Sequence, residues 1–547
     1  MWIKNINGKM LGLVMVAFFT SASIDSPPNH EKYFEISKNI EIFTNLYKEI
    51  NTYYVDDIDP AKLMRIGVDA MLESLDPYTN YISESEIEGF RYITEGKYNG
   101  IGALFRKVDG KIMITEPWEG QPAQKAGLKA GDVIQAVDGK STLDKSTQDV
   151  IDILKGYPGT EVMLTIQRFG ETKPRKITLV RDEVNVPNVP YSGMLDGDIG
   201  YVALTTFTRN AGKNVGAAVK KLKEENPNLK GVVFDLRGNG GGLLTEAVDV
   251  SNVFIPKNEL VVTTRGKVKD WDRSFKTLNK PVDEEIPLVV LIDHGSASAS
   301  EIVSGVLQDL DRGVLLGQRS YGKGLVQNTR DVGYNSKVKL TTAKYYIPSG
   351  RCIQSVKYDD GEPLDIPDNE RTPFKTRNGR QVLDGGGVKP DETVGENEEL
   401  RVVKSLKSKY LIFSFVNEHV ASMGESISIE DYKFTEFNKF IEFLEKRDYS
   451  YESESEKMLN KLLAKAQEEN FDISADLKDA ASKINEVKIK DITKYKDRIT
   501  SLIEKEIASR FFYEQGKIKM GLRNDVEIKD AISLLNNETK YNSLLNK

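Results

Sequence analysis

Pro287-Leu288-Val289-Val290-Leu291-Ile292 runs directly into Asp293-His294-Gly295-Ser296-Ala297-Ser298-Ala299-Ser300-Glu301. An unbroken apolar run of this kind is a strand buried on both faces. Small residues then make a tight turn, and Ile302, Val303, Val306, Leu307 and Leu310 continue at helical spacing. A buried strand, a turn and a helix place the turn at the carboxyl end of a sheet, where α/β sites lie. The turn presents Ser298. Serine is a poor nucleophile at neutral pH and needs a base within hydrogen-bond reach. The chain has only three histidines, His30, His294 and His419. Lys323, between Gly322 and Gly324, can replace them if apolar surroundings lower its pKa, because desolvation disfavours the ammonium form. Val314-Leu315-Leu316-Gly317 before it and Leu325-Val326 after it are such surroundings. The pattern reads as a Ser/Lys dyad of Ser298 and Lys323. Ser-x-x-Glu ahead of an apolar run is also a capping box, and Ser298 with Glu301 fits it. The two readings are compatible, since the positive end of a helix dipole favours a developing oxyanion.

A second glycine-rich stretch follows another apolar strand. Gly231-Val232-Val233-Phe234-Asp235-Leu236 leads into Arg237-Gly238-Asn239-Gly240-Gly241-Gly242. Glycines let a backbone approach a substrate and aim N–H groups into a cleft, and acyl transfer needs such donors where the oxyanion forms. A phosphate loop is the competing interpretation, but the lysine-serine ending and the dinucleotide-binding spacing are both absent.

Upstream, residues 97–183 have the texture of short strands and turns. Gly100-Ile101-Gly102-Ala103 opens the stretch. Pro122-Ala123, Ala126-Gly127-Leu128, Gly131-Asp132 and the Asp138-Gly139 turn follow in order, with a helix from Asp149 to Leu154 and a strand from Val162 to Gln167. Residues 24–96 read as helical, broken at Leu75-Asp76-Pro77-Tyr78-Thr79. Beyond Glu396 the chain is rich in Lys and Glu and carries an apolar stripe of Met458, Leu459, Leu462, Leu463 and Ala466. No chemistry is visible in that region. A cover, a dimerisation surface or an adaptor surface is one use for it, and a solvated helical domain is the default expectation.

Length and composition bound the rest. The 547 residues fit three or four domains. The net charge of −7 argues against a general nucleic-acid binder. No Cys/His cluster has zinc-ligand spacing, so neither metal nor cofactor is expected. The one cysteine, Cys352, excludes an intrachain disulfide and has no histidine near it in sequence. At the start, Lys4 and Lys9 precede an apolar run from Met10 to Phe19, then Ser21-Ala22-Ser23. That is the layout of a secretory signal peptide over residues 1–23, so the mature protein is expected in the periplasm or another extracytoplasmic space. Retention of the segment as a membrane anchor is the alternative.

Residues 97–183 resemble a bacterial PDZ domain. The set as a whole resembles the carboxyl-terminal processing peptidases, or tail-specific proteases. The resemblance covers Glu31 to Val394 and rests on the PDZ segment, Asp-Leu-Arg-x-Asn-x-Gly-Gly, Gly-Ser-Ala-Ser-Ala-Ser-Glu, Tyr-Gly-Lys-Gly-x-Val-Gln and Pro-Ser-Gly-Arg. It implies an α+β multidomain protein. A PDZ domain stands ahead of an α/β, ClpP/crotonase-like serine peptidase core (184–395), with helical regions before it and after it (396–547). It implies Ser298 as nucleophile, rather than Ser296 or Ser300, Lys323 as general base and Gln327 as the residue orienting the lysine. Oxyanion donors fall on Ala299 and the Gly241/Gly242 pair. Asp309 matches an acidic residue of the family and is expected to be a structural partner. Gly100, Ile101, Gly102 and Ala103 match the loop that presents N–H groups to a peptide's terminal carboxylate while the peptide adds as a strand. The expected activity is therefore that of an endopeptidase acting on proteins with exposed C-termini. Two other classes compete: an inactive PDZ-containing adaptor, and a hydrolase whose base is His294, which would face Ser298 if both lay on one helix.

Overall fold

The computed structural model describes residues 30–354, 358–359, 362–363, 366–395, 400–423, 427–449, 451, 453–469, 471 and 474–547. The leader expected over residues 1–23 lies outside them. Among the described residues no helix is long and apolar enough to cross a membrane. The chain divides into two units, one ending at Asp76 and one spanning Pro77–Lys547.

The first unit is a pair of helices, α1 (His30–Tyr53) and α2 (Pro60–Glu73). Asp59 starts α2 by accepting the N–H groups of Ala61 and Lys62 at 2.9 and 3.2 Å. Pro60 fills the first helical position, where a missing N–H costs nothing. The α1 side chains Phe34, Ile40, Phe43 and Leu46 are exposed.

The second unit opens with β1 (Asn80–Ile82), inside the stretch expected to be helical. The Asp76-Pro77 turn releases the chain, and a strand partner far along the sequence wins over local helix propensity.

The expected PDZ domain follows as the sheet β2 (Ala103–Val108), β3 (Lys111–Pro117), β4 (Val133–Val137), β5 (Glu161–Gln167) and β6 (Arg175–Val180), in that spatial order. The helix α3 (Thr147–Leu154) sits between β4 and β5 in sequence and is started by a Ser146/Asp149 capping box. Strand periodicity puts Ile112, Ile114, Val162, Leu164 and Ile166 inside this domain's own core.

The α/β core is a six-stranded sheet. Its strands, in spatial order, are β7 (Tyr191–Leu195), β8 (Ile199–Ala203), β9 (Gly231–Asp235), β11 (Leu288–Ile292), β12 (Val314–Gly317) and β15 (Glu392–Thr393). The β7–β8 pair is antiparallel and every other pair is parallel. Helices α4 (Ala211–Glu225), α5 (Leu244–Phe254) and α6 (Ala299–Asp309) cover one face, over Val232, Phe234, Val290, Ile292 and Leu315. A second sheet brings β1, β10 (Leu260–Gly266), β13 (Leu325–Gly333) and β14 (Ser336–Tyr346) together, with β14 pairing to each of the other three.

Helices run from Arg401 to the C-terminus, ending in α7 (Lys496–Leu522), α8 (Val526–Leu535) and α9 (Glu538–Leu544). They are not a detached solvated domain. Ile528, Ala531, Leu534, Leu535, Tyr541 and Leu545 of the last two helices and the chain end pack on the other face of the core sheet, over Ile199, Val233, Val289, Leu291, Val314 and Leu316. A mostly parallel sheet needs both faces covered. Uncovering those six sheet residues would cost on the order of 10 kcal/mol, comparable to the whole net stability of a domain. The core therefore runs past residue 395 and takes its second layer from the C-terminus.

Candidate active site

Three serines stand in the turn after β11, and two are bound into it. Ser296 Oγ donates to Leu236 O at 2.8 Å, and Ser300 Oγ donates to Asn239 O at 2.7 Å; both residues are fully buried. Ser298 is half-buried and has φ 55°, ψ −110°, a conformation costing a non-glycine residue about 1–3 kcal/mol. Such strain presents the side chain at the mouth of the turn. The local geometry thus distinguishes Ser298 from its neighbours independently of any family motif. His294 is exposed and α6 begins only at Ala299, so His294 and Ser298 do not share a helix.

Ser298 and Glu301 have the geometry of a capping box, and Glu301 Oε2 accepts the Ser298 N–H at 2.8 Å. The same oxygen accepts the Lys323 N–H at 2.8 Å. Oε1 accepts the Gly322 N–H at 2.7 Å and the Ser320 hydroxyl at 2.6 Å. Burial pushes this carboxyl up to about 7, against the pull of its four donors. Tyr345, buried on β14, adds a second tie: its hydroxyl donates to Ser298 O at 3.1 Å and to Lys323 O. Residues distant in sequence are thereby stitched backbone to backbone.

Lys323 is half-buried. Its expected apolar surroundings are only partly there: Val314 to Leu316 lie inside the sheet, while Leu325 and Val326 are half-buried. The Lys323 Nζ lies 4.3 Å from the centroid of the Tyr78 ring, a cation–π placement. Tyr78 arrives through β1, which pairs with β14. Gln327 lies on β13, and its Nε2 donates to Thr341 Oγ1 at 3.2 Å; Thr341 in turn contacts the Thr79 hydroxyl. The turn carrying Tyr78 and the strand carrying Gln327 therefore share one hydrogen-bond chain.

The two glycines of the loop differ in their N–H groups. The Gly241 N–H is committed to Asn239 Oδ1 at 2.9 Å. A Cβ there would lie 2.9 Å from Ser298 Cβ and 2.8 Å from Ala299 N, and its φ is +97°. Only glycine fits. Gly242 is exposed, and among the described residues no acceptor takes its N–H or that of Ala299. Asn239 itself is fully buried; its Nδ2 donates to Leu204 O at 2.7 Å, and its carbonyl accepts from Ala297 N and Ser300 Oγ. It locks the glycine loop to the serine turn.

Asp309 lies at the far end of α6. It pairs with buried Arg351 at 2.9 Å and accepts the Ser349 N–H at 2.9 Å. Burial raises its carboxyl pKa while Arg351 opposes the rise. Those contacts tie the end of α6 to the Ser349–Arg351 turn. Burial likewise raises the neighbouring Cys352 thiol, which disfavours the nucleophilic thiolate.

In the PDZ domain, Gly100 ends a short strand (Lys97–Gly100), Ile101 and Gly102 link it to β2, and Ala103 is the first residue of β2. Ile101 is buried in the domain core. Gly102 has φ +75°, and a Cβ there would meet Gln121 Cβ at 2.3 Å. Ile101 O and Gly102 O accept from Ala123 N and Trp118 N, at 2.7 and 3.0 Å. Among the described residues no acceptor takes the N–H groups of Ile101 and Gly102. The strand β2 that follows is an edge strand. Two open donors beside an open edge fit a carboxylate-ended strand. The PDZ domain also meets α7: Gln124 Nε2 donates to the Tyr513 hydroxyl at 3.1 Å. Burial, with Glu514, pushes the Glu116 carboxyl up to about 7.

The chain matches the model of peptidase family S41 over residues 198–360. It matches a PDZ domain over 113–168 and a C-terminal helical domain of PDZ-proteases over 402–535. A carboxy-terminal-processing protease of Bartonella bacilliformis is 39% identical over 321 residues, covering 58% of this chain and 73% of that protein. A probable CtpA-like serine protease of Staphylococcus aureus is 36% identical over 332 residues, covering 60% of this chain and 65% of that one. Among solved structures, a photosystem II D1 C-terminal processing protease is similar at 29% identity, over 59% of this chain and 92% of that chain, with a TM-score of 0.33. With a PDZ domain, an S41 core and a helical C-terminal region in order, the chain belongs to the carboxy-terminal-processing proteases and is a serine peptidase.

Proposed function

We propose that this chain is an endopeptidase with a Ser298/Lys323 dyad, exported by its leader, that cuts extracytoplasmic proteins whose C-terminal tails its PDZ domain takes up. The observation carrying the dyad is the shared carboxylate: Glu301 Oε2 accepts the N–H of both Ser298 and Lys323, at 2.8 Å each. In the reaction, neutral Lys323 removes the Ser298 proton and Oγ attacks a peptide carbonyl. The oxyanion rests on the N–H groups of Ala299 and Gly242. The lysine, now ammonium, protonates the leaving amine and then takes a proton from the water that releases the acyl group. Gln327 steadies the strand behind the lysine. Substrate tails end in a carboxylate that accepts from Ile101 and Gly102, while the tail's backbone extends the sheet at β2.

The test is cleavage of an unstructured reporter protein with an apolar C-terminus by the purified protein, beside Ser298→Ala and beside the same reporter with its C-terminus amidated. Cleavage that needs both Ser298 and the free carboxylate supports this function. Cleavage indifferent to the carboxylate removes the tail-recognition half, and Ser298-independent cleavage removes the dyad.

A further inference from the structure

Arg237 is the first residue of the glycine loop after the Asp235-Leu236 strand end, and three carboxylates surround its guanidinium. Its Nη2 meets Asp235 Oδ2 at 2.6 Å, and Nη1 meets Asp525 Oδ2 at 2.9 Å together with Glu527 Oε2. The Arg237 N–H and Nε also donate to Asp235 Oδ1, at 2.9 and 3.0 Å, and the Tyr201 hydroxyl donates to Asp235 Oδ2 at 2.9 Å. Lys505 is a further positive charge acting on this group. Asp525 and Glu527 begin α8, 288 and 290 positions further along the chain. The loop they reach is the one that carries Gly242, and the next residue, Gly238, donates to Asp293 Oδ1 at the root of the serine turn.

We infer that Asp525 and Glu527 are positioning residues for the peptidase reaction: they hold Arg237, and through it the loop whose Gly242 N–H meets the oxyanion. The inference rests on the assignment of Ser298 and Gly242 above. Its physical basis is the sensitivity of an oxyanion hole to displacement, because donors must stand where charge develops and cannot be re-aimed cheaply during the reaction. Asp235 alone satisfies the backbone side of Arg237. The two carboxylates of α8 fix the remaining edge of a planar, forked cation, which specifies its direction as well as its charge. The helical C-terminal region is thereby a working part of the active site.

The charges can be removed without removing the fold. Asp525 Oδ1 caps α8 by accepting from Glu527 N and Ile528 N, at 3.0 and 3.3 Å, and asparagine caps as well as aspartate. Asp525→Asn therefore keeps the cap and deletes the charge, and Glu527→Gln is its companion. Arg237 retains Asp235 in both.

The experiment compares the full protein with Asp525→Asn, Glu527→Gln, the double variant and Ser298→Ala. Turnover is measured on the protein reporter and on a small activated ester that needs no tail recognition, with a thermal melt of each protein. The expected result for the double variant is a fall in kcat of about tenfold or more on both substrates, with KM and melting temperature unchanged. An unchanged kcat overturns the inference, as does a kcat loss that merely follows a fall in melting temperature. If Ser298→Ala is inactive and the double variant is normal, the latch alone fails. A fully active Ser298→Ala overturns the site assignment and the latch with it.

Discussion

Glu301 Oε2 lies 2.8 Å from the amide nitrogen of Ser298 and 2.8 Å from that of Lys323. A single buried carboxylate oxygen thus sets the spacing of the Ser298 turn and the Lys323 turn. The capping box at the start of α6 and the joining of Ser298 to Lys323 are one structure, with the cap's glutamate serving both.

Glu301→Gln should therefore disable the enzyme while leaving it folded. The amide NH2 would face N–H or O–H donors on one side, leaving at least one buried group unpaired at about 1–3 kcal/mol. We expect a melting temperature lowered by several degrees and a kcat lowered by about tenfold to a hundredfold. Normal turnover in a melted-down variant would show that the carboxylate matters only to stability.

Serine-to-alanine changes in the turn should separate chemistry from structure. Ser296→Ala and Ser300→Ala each lose a buried hydrogen bond to a carbonyl, costing about 1–3 kcal/mol, and should melt earlier while still cleaving substrate. Ser298→Ala should melt at the parent temperature and be inactive. The comparison needs only a thermal scan and one cleavage assay per variant.

Gly241→Ala should abolish activity. The added Cβ would sit 2.9 Å from Ser298 Cβ and 2.6 Å from Ala297 O, at φ +97°. Backbone strain of about 1–3 kcal/mol would be relieved by moving the serine turn. A variant retaining more than about a tenth of parental kcat would contradict the packing of this loop against the nucleophile.

Activity should climb between pH 6 and 9. Glu301 carries a carboxyl pushed up to about 7, so acid adds a proton that must displace one of its four donors. A lysine base also gains its neutral form only as pH rises. Both effects have the same sign, and kcat/KM measured across that range should show a rising limb. A flat profile would count against a lysine base.

Stability should carry its own pH signature at the PDZ contact. The Glu116 carboxyl rises from 4.5 to about 7 in the folded protein, chiefly through burial and then Glu514. A raised folded pKa contributes stability that is present below about pH 4.5 and lost as pH climbs through 7. Glu116→Gln should remove roughly 1–3 kcal/mol of that loss. Melting curves of the parent and variant, taken from pH 4.5 to 8, should diverge across that window.

Much of this architecture was legible in the sequence because it is local. The apolar runs at Val232–Phe234 and Leu288–Ile292 announce buried parallel strands, and the motif strings locate Ser298, Lys323 and the glycine loop. What was illegible is long-range. Tyr78 reaches Lys323 only because β1 pairs with β14, and nothing in Asp76-Pro77-Tyr78 announces that partner. The apolar faces of α8 and α9 show that the helices cover something, but periodicity does not name the sheet they cover. Gly241 and Gly242 are identical letters, separated only when the Asn239 side chain takes one N–H. Glu301 was visible as a cap, and its bonds to Gly322 and Lys323 required the fold.

The most direct measurement of the central claim compares Lys323→Ala with His294→Ala on the unstructured reporter under conditions where the parent cleaves it. The account predicts that Lys323→Ala loses about 100- to 10,000-fold in kcat and that His294→Ala, changed at an exposed turn position, matches the parent. An active Lys323→Ala beside an inactive His294→Ala would contradict it and move the general base to the histidine.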